Sequence, residues 1–224
     1  MPRLAAAGAL AAAVAAAAWT AADPGEAAFP LLLVVVAVLI AGVAWVEAGP
    51  WAAREVTLVA TLAAVAAAGR VLFAAVPGVQ PVTVLVVVAG ATLGARAGFA
   101  TGALAALVSN LFLGQGPWTP WQMLAWGACG LAGALMASVV RNRFALAGVC
   151  FVLGLAFSTL MDLWLWLSFL PHTWEALTAT LARGFGYSLA HAIANVVIAL
   201  TVGPELRRML ERYGRKLKTE VAWA

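Results

Sequence analysis

Charge is what this sequence has least of. Only 10% of its 224 residues are Asp, Glu, Lys or Arg, while 65% are hydrophobic. Soluble domains carry about 25% charged residues. A chain this short has too little interior to hide so much apolar surface, so a water-soluble globule is excluded and the excess must face lipid. Cysteine is nearly absent: Cys129 and Cys150 stand singly in apolar runs, without a CxxC spacing or a neighbouring His. That leaves no disulfide framework and no metal-ligand pattern. The phosphate loop GxxxxGK[ST], the HExxH zinc helix and closely paired carboxylates are all missing from the sequence. No ATP-hydrolysing or hydrolytic centre is therefore expected, and the chain is read as neither an enzyme nor a cofactor carrier. The net charge of +4 is gathered beside membrane segments and is no nucleic-acid signature.

What is present is a series of long apolar runs. A membrane-crossing helix needs about 20 mostly apolar residues. The periodicity and breaks predict eight helices near 4–20, 29–49, 56–76, 82–95, 97–113, 121–140, 144–170 and 183–203. The breaks hold the residues that stop helices: Asp23-Pro24-Gly25-Glu26, Gly49-Pro50, the Pro77-to-Pro81 turn, and Gly114 through Pro120. Pro171 and His172 open the last long loop. The alanine-rich first segment fits either a cleaved signal or a weak span. The piece at 82–95 is short for a crossing and fits a tilted or partly buried helix. The expected fold is an all-α membrane protein. It divides into a hydrophobic helix pair at 1–53, a six-helix membrane unit at 54–206 and a basic tail at 207–224.

Lys and Arg set the orientation. With Arg3 inside, alternation also puts Arg54, Arg96, Arg141, Arg143 and the tail cluster Arg207, Arg208, Arg212, Arg215, Lys216 and Lys218 inside. Arg70 and Arg183, which fall within or at the start of helices, are the exceptions. The opposite loops carry Asp23, Glu26 and Glu175. This obeys the positive-inside rule and predicts a multi-pass protein of the cell membrane with a cytoplasmic C-terminus.

Ionisable residues at membrane depth usually face a bundle interior and mark function. Arg70, Asp162 and His191 fall on three helices at similar expected depth in the outer half. Tyr187, His191 and Asn195 follow at four-residue spacing along one helix face. A shared, outward-facing polar pocket accounts for these positions, and an Arg70–Asp162 ion pair that only fixes packing is the structural alternative. Loops and helix ends on the same side add Gln80, Asn110, Gln115, Trp118, Trp121, Gln122 and Trp166 as donors, acceptors and flat rings. Ala60, Ala64 and Ala68 recur at helical spacing, as do Ala63 and Ala67 in an offset register, giving faces that let another helix approach closely.

Two stretches carry a family resemblance. Gly69-Arg70-Val71-Leu72-Phe73 through Pro77, followed by Gln80-Pro81-Val82-Thr83, resembles the first helix and outer loop of substrate-binding (S) components of energy-coupling factor (ECF) transporters. Ser109-Asn110-Leu111-Phe112-Leu113-Gly114-Gln115-Gly116-Pro117-Trp118-Thr119-Pro120-Trp121-Gln122-Met123 is similar to the third helix, third loop and fourth helix of that family. The resemblance spans about residues 54–210, is strongest to a branch near cobalamin-specific members, and implies a six-helix fold. It also implies that the chain binds a vitamin-like small molecule, cobalamin or a related corrinoid being the nearest suggestion, at the outer face. Delivery inward would need a membrane T component and two cytoplasmic ATPases. By the same resemblance Ala60, Ala64 and Ala68 would contact the T component, and Gln80 and Gln115 through Trp121 would cover the ligand. The extra N-terminal pair departs from the family pattern. The alternative from another class is a stand-alone carrier or facilitator using Asp162 or His191 for coupling.

Overall fold

A computed structural model describes residues 7–9, 11, 12, 14–16 and 28–221, with side chains as far as 214. The protein is an all-α membrane protein, and among the described residues five helices are long and apolar enough to cross a bilayer. We number the helices from residue 28: α1 Ala28–Glu47, α2 Ala53–Leu72, α3 Val82–Leu93, α4 Ala95–Leu113, α5 Trp118–Leu135, α6 Arg143–Phe169, α7 Trp174–Thr201 and α8 Gly203–Val221. Of the segment expected at 4–20, the described residues are helical, and the rest, with its signal-or-span alternative, lies outside the described residues.

The short helix α3 forms the centre. Its 12 residues reach about 18 Å, well below the roughly 30 Å of a hydrocarbon core. Every residue from Val82 to Gly90 is buried, so protein rather than lipid surrounds it. An unbroken run of Val and Leu suits that environment because all sides of the helix need apolar cover. Glycines bring its neighbours in. A Cβ on Gly98 of α4 would lie 2.6 Å from the Gly90 Cα and 3.0 Å from the Gly130 carbonyl carbon of α5. Three helices therefore cross at backbone contact, as small residues allow in membranes.

α1 packs across the bundle through Val35 and Leu39, which share a cluster with Phe99, Ala103 and Trp121. Arg96 ties the end of α1 down: its guanidinium donates to the Val46 carbonyl and, at 3.0 Å, to that of Gly49, and it lies 4.8 Å over the Trp51 ring.

One expectation is corrected. The last span begins at Trp174, not 183, so the expected long loop shrinks to a few residues. Thr173 caps it by accepting from the Ala176 N–H, and Glu175 occupies the first turn, where the helix dipole favours negative charge. The described part of the basic tail lies on α8, which folds back beneath the bundle with Leu206 and Leu210 buried. Arg207 fixes it by donating to the Val140 carbonyl at 2.8 Å.

The bundle thus has two unlike ends. The 73–81 turn and the 114–117 loop lie at a polar end. Arg54, Arg96, Arg141, Arg143 and α8 lie at a basic end.

Candidate functional site: a buried polar network

The polar end is organised around Arg70, two residues before the end of α2 and only 8% exposed. Its Nη1 donates to Ser109 Oγ at 2.7 Å and to Asn110 Oδ1 at 2.5 Å. Its Nη2 makes a long contact of 3.5 Å with Gln122 Oε1. The guanidinium carbon sits 4.9 Å over the Trp126 ring. Asn110 continues the network, donating to Thr119 Oγ1 at 2.9 Å and to Gln122 Oε1 at 2.8 Å. Thr119 donates to Gln115 Oε1 at 2.8 Å, and Gln115 donates to the Leu107 carbonyl at 3.0 Å. The 114–117 loop turns at Gly114, whose φ of 105° favours glycine, and is thereby fastened to the buried arginine through side chains.

A second cluster surrounds His191, which is fully buried. Its Nδ1 lies 2.9 Å from the Gly78 carbonyl, so this nitrogen donates and Nε2 accepts. Thr83 Oγ1 and Asn195 Nδ2 face Nε2 at 3.4 and 3.3 Å. Trp126 joins the clusters: its Nε1 donates to Thr83 at 3.3 Å, and its ring stacks on Phe157 at 4.3 Å, which in turn touches His191. Gly78, at φ 77°, presses against α7 so closely that a Cβ there would lie 2.8 Å from the His191 backbone nitrogen. One polar path therefore runs from Gln115 through Arg70, Trp126 and Thr83 to Asn195.

Arg70, Asn110, Gln115 and Gln122 stand together, and so do His191 and Asn195. Gln80 donates to the Tyr187 hydroxyl above them, although Tyr187 is 44% exposed and not inside the bundle. Trp118 packs edge-on to Trp164, and Trp121 is buried against the α1 cluster, away from the arginine. Trp166 donates to the Pro171 carbonyl and contacts His172 at the tip of the α6–α7 hairpin. Asp162 joins neither Arg70 nor His191. Its carboxylate lies against Gly184, beside Arg183, and Arg70 makes no ion pair among the described residues. α7 starts nine residues before the expected 183, which sets His191 deeper than Asp162 along the hairpin. Ser109, Thr83 and Trp126 are the network members that sequence reasoning missed.

Several buried polar atoms in this region have no hydrogen-bond partner: Arg70 Nε, Gln80 Oε1, Ser158 Oγ and Asn195 Oδ1. Buried polar groups are ordinarily satisfied, and each orphan costs about 1–3 kcal/mol. Such atoms are what a polar ligand or water would engage.

A cavity of about 900 Å3 lies at the basic end instead, among Trp45, Trp51, Glu55, Arg96 and Gly214 and the α3–α4 junction. Among the described residues no group of three or more His, Cys, Asp or Glu side chains is placed to hold a metal.

The model of a family of unknown function, DUF6580, matches residues 50–203. No curated protein and no solved structure matches. The matched range contains the whole polar network and leaves α1 and nearly all of α8 outside.

Proposed function

The chain belongs to the DUF6580 family, and from that premise we propose that it is a ligand-binding subunit of an ATP-driven importer of the energy-coupling factor type. It takes up a vitamin-like small molecule at the outer face of the cell membrane and delivers it inward with a T component and two ATPases. The observation that carries this reading is the buried network around Arg70, with its unsatisfied atoms, at the end opposite Arg54, Arg96, Arg141, Arg143 and the basic α8. By the positive-inside rule that end faces outward and the C-terminus faces the cytoplasm. Loop residue Gln115 joins the network through Thr119 in the first turn of α5, as a closing lid would.

A second observation supports the partner. On α2, Ala60, Ala64 and Ala68 are exposed on one face, while Ala63 and Ala67 turn into the bundle. The first register is thus the one free to meet a neighbouring helix. A small, flat face permits close helix approach in lipid.

The test is co-purification of tagged full-length chain from its own membranes. A T component and two ATPases are expected with the wild type, and Ala64→Leu is expected to lower their recovery severalfold while leaving the chain folded. Recovery of no such partners, together with uptake by the isolated chain in liposomes, would instead favour a stand-alone carrier.

A further inference from the structure

We infer that Arg70 is the anchor for a carboxylate, so that the molecule bound at the polar end is an organic acid. This rests on the reading of that network as the ligand site and names the class of ligand it takes.

The guanidinium is fully bonded at Nη1 and under-bonded along its Nε–Nη2 edge. Nη1 is saturated by Ser109 and Asn110. Nε has no partner, and Nη2 makes only one long bond, 3.5 Å to the Gln122 oxygen, which also accepts from Asn110 at 2.8 Å. Nε and Nη2 form one edge of the planar group, and that edge is the fork with which arginine grips the two oxygens of a carboxylate.

Charge points the same way. Every side chain that bonds Arg70 is neutral, and its flat neighbour is the Trp126 ring. Asp162, the carboxylate on the facing hairpin, lies against Gly184 instead. A buried cation ordinarily has a paired anion, because its desolvation is otherwise uncompensated. Among the described residues the protein supplies acceptors for one end of the group and no ion-pair partner. A bound carboxylate completes both the hydrogen bonds and the charge. An ammonium would be repelled, and an amide would leave the charge unmatched.

The test uses the full chain in lipid nanodiscs and matched probes: nicotinate against nicotinamide, biotin against its primary amide, and pantothenate against pantothenol. Thermal unfolding is followed as each probe is titrated. At least one acid is expected to raise the unfolding temperature at a concentration about tenfold below its neutral partner, equivalent to about 1.4 kcal/mol. That advantage is expected to vanish in Arg70→Gln and to survive in part in Arg70→Lys. The lysine keeps the charge but lacks the fork, so it separates a lost grip from a lost fold. Neutral probes acting alone or equally would overturn the carboxylate assignment and leave ligand binding standing. An acid advantage that persists in Arg70→Gln would overturn it too. So would the absence of any shift with all six probes, and co-purification of the transporter partners then decides separately whether the importer reading survives.

Discussion

At the scale of single residues, His191 carries the most structural consequence. It ties the 73–81 turn to α7 through the Gly78 carbonyl and gives Thr83 and Asn195 an acceptor. His191→Ala would leave the buried Gly78 carbonyl without its donor and open a cavity beside Phe157. The expected cost is about 3 kcal/mol. Chemical unfolding in micelles measures it, and a change below about 0.5 kcal/mol would mean that the turn is held by other contacts. His191 and Arg70 were both legible in the sequence, since an ionisable residue in an apolar run announces itself. Their partners were not. Thr83 and Ser109 look like any helical hydroxyl until the fold brings α3 and α4 beside them. The Asp162–Arg70 pairing was a natural inference from depth alone, but depth along a helix says nothing of which way the side chain faces.

At the scale of elements, the close crossing of α3, α4 and α5 depends on glycine. An added Cβ at Gly130 would lie 2.9 Å from the Gly98 Cα and nearer still to its carbonyl. Gly130→Ala is therefore expected to destabilise by about 1–3 kcal/mol through overpacking. Gly148 on α6 and Gly186 on α7 meet nothing within 4 Å, so alanine there is expected to stabilise by about 0.5–1 kcal/mol through helix propensity. Unfolding temperatures of the three variants check the contrast, and equal effects would contradict it. Helix positions were largely legible, because long apolar runs bounded by Pro and Gly leave few choices. The start of α7 was missed because Arg183 and the glycines at 184 and 186 resemble a boundary, whereas the capping Thr173 and first-turn Glu175 are the true signal. The centrality of α3 was hidden because a short apolar run reads alike whether it is tilted through lipid or enclosed by protein.

At the scale of the whole molecule, the two ends divide the work. The polar end has one buried arginine, unsatisfied polar atoms and a loop fastened to them. The basic end has the folded-back α8, anchored through Arg207, and the cavity between α1, α2 and the α3–α4 junction. Composition alone made the membrane setting plain, and charge placement alone suggested the orientation. That the polar residues are knit together, while the large cavity lies at the opposite end, depends on long-range packing and had no local signature. The importer reading requires the polar end to open outward. Gln115→Cys tests it most directly, with a membrane-impermeant maleimide applied to intact cells. Native Cys129 and Cys150 are buried and give a low background. Labelling of Cys at 115 in intact cells is predicted, whereas Arg212→Cys on α8 should react only after the membrane is permeabilised. Reaction at 212 but not at 115 in intact cells would invert the protein and contradict an outward-facing binding site.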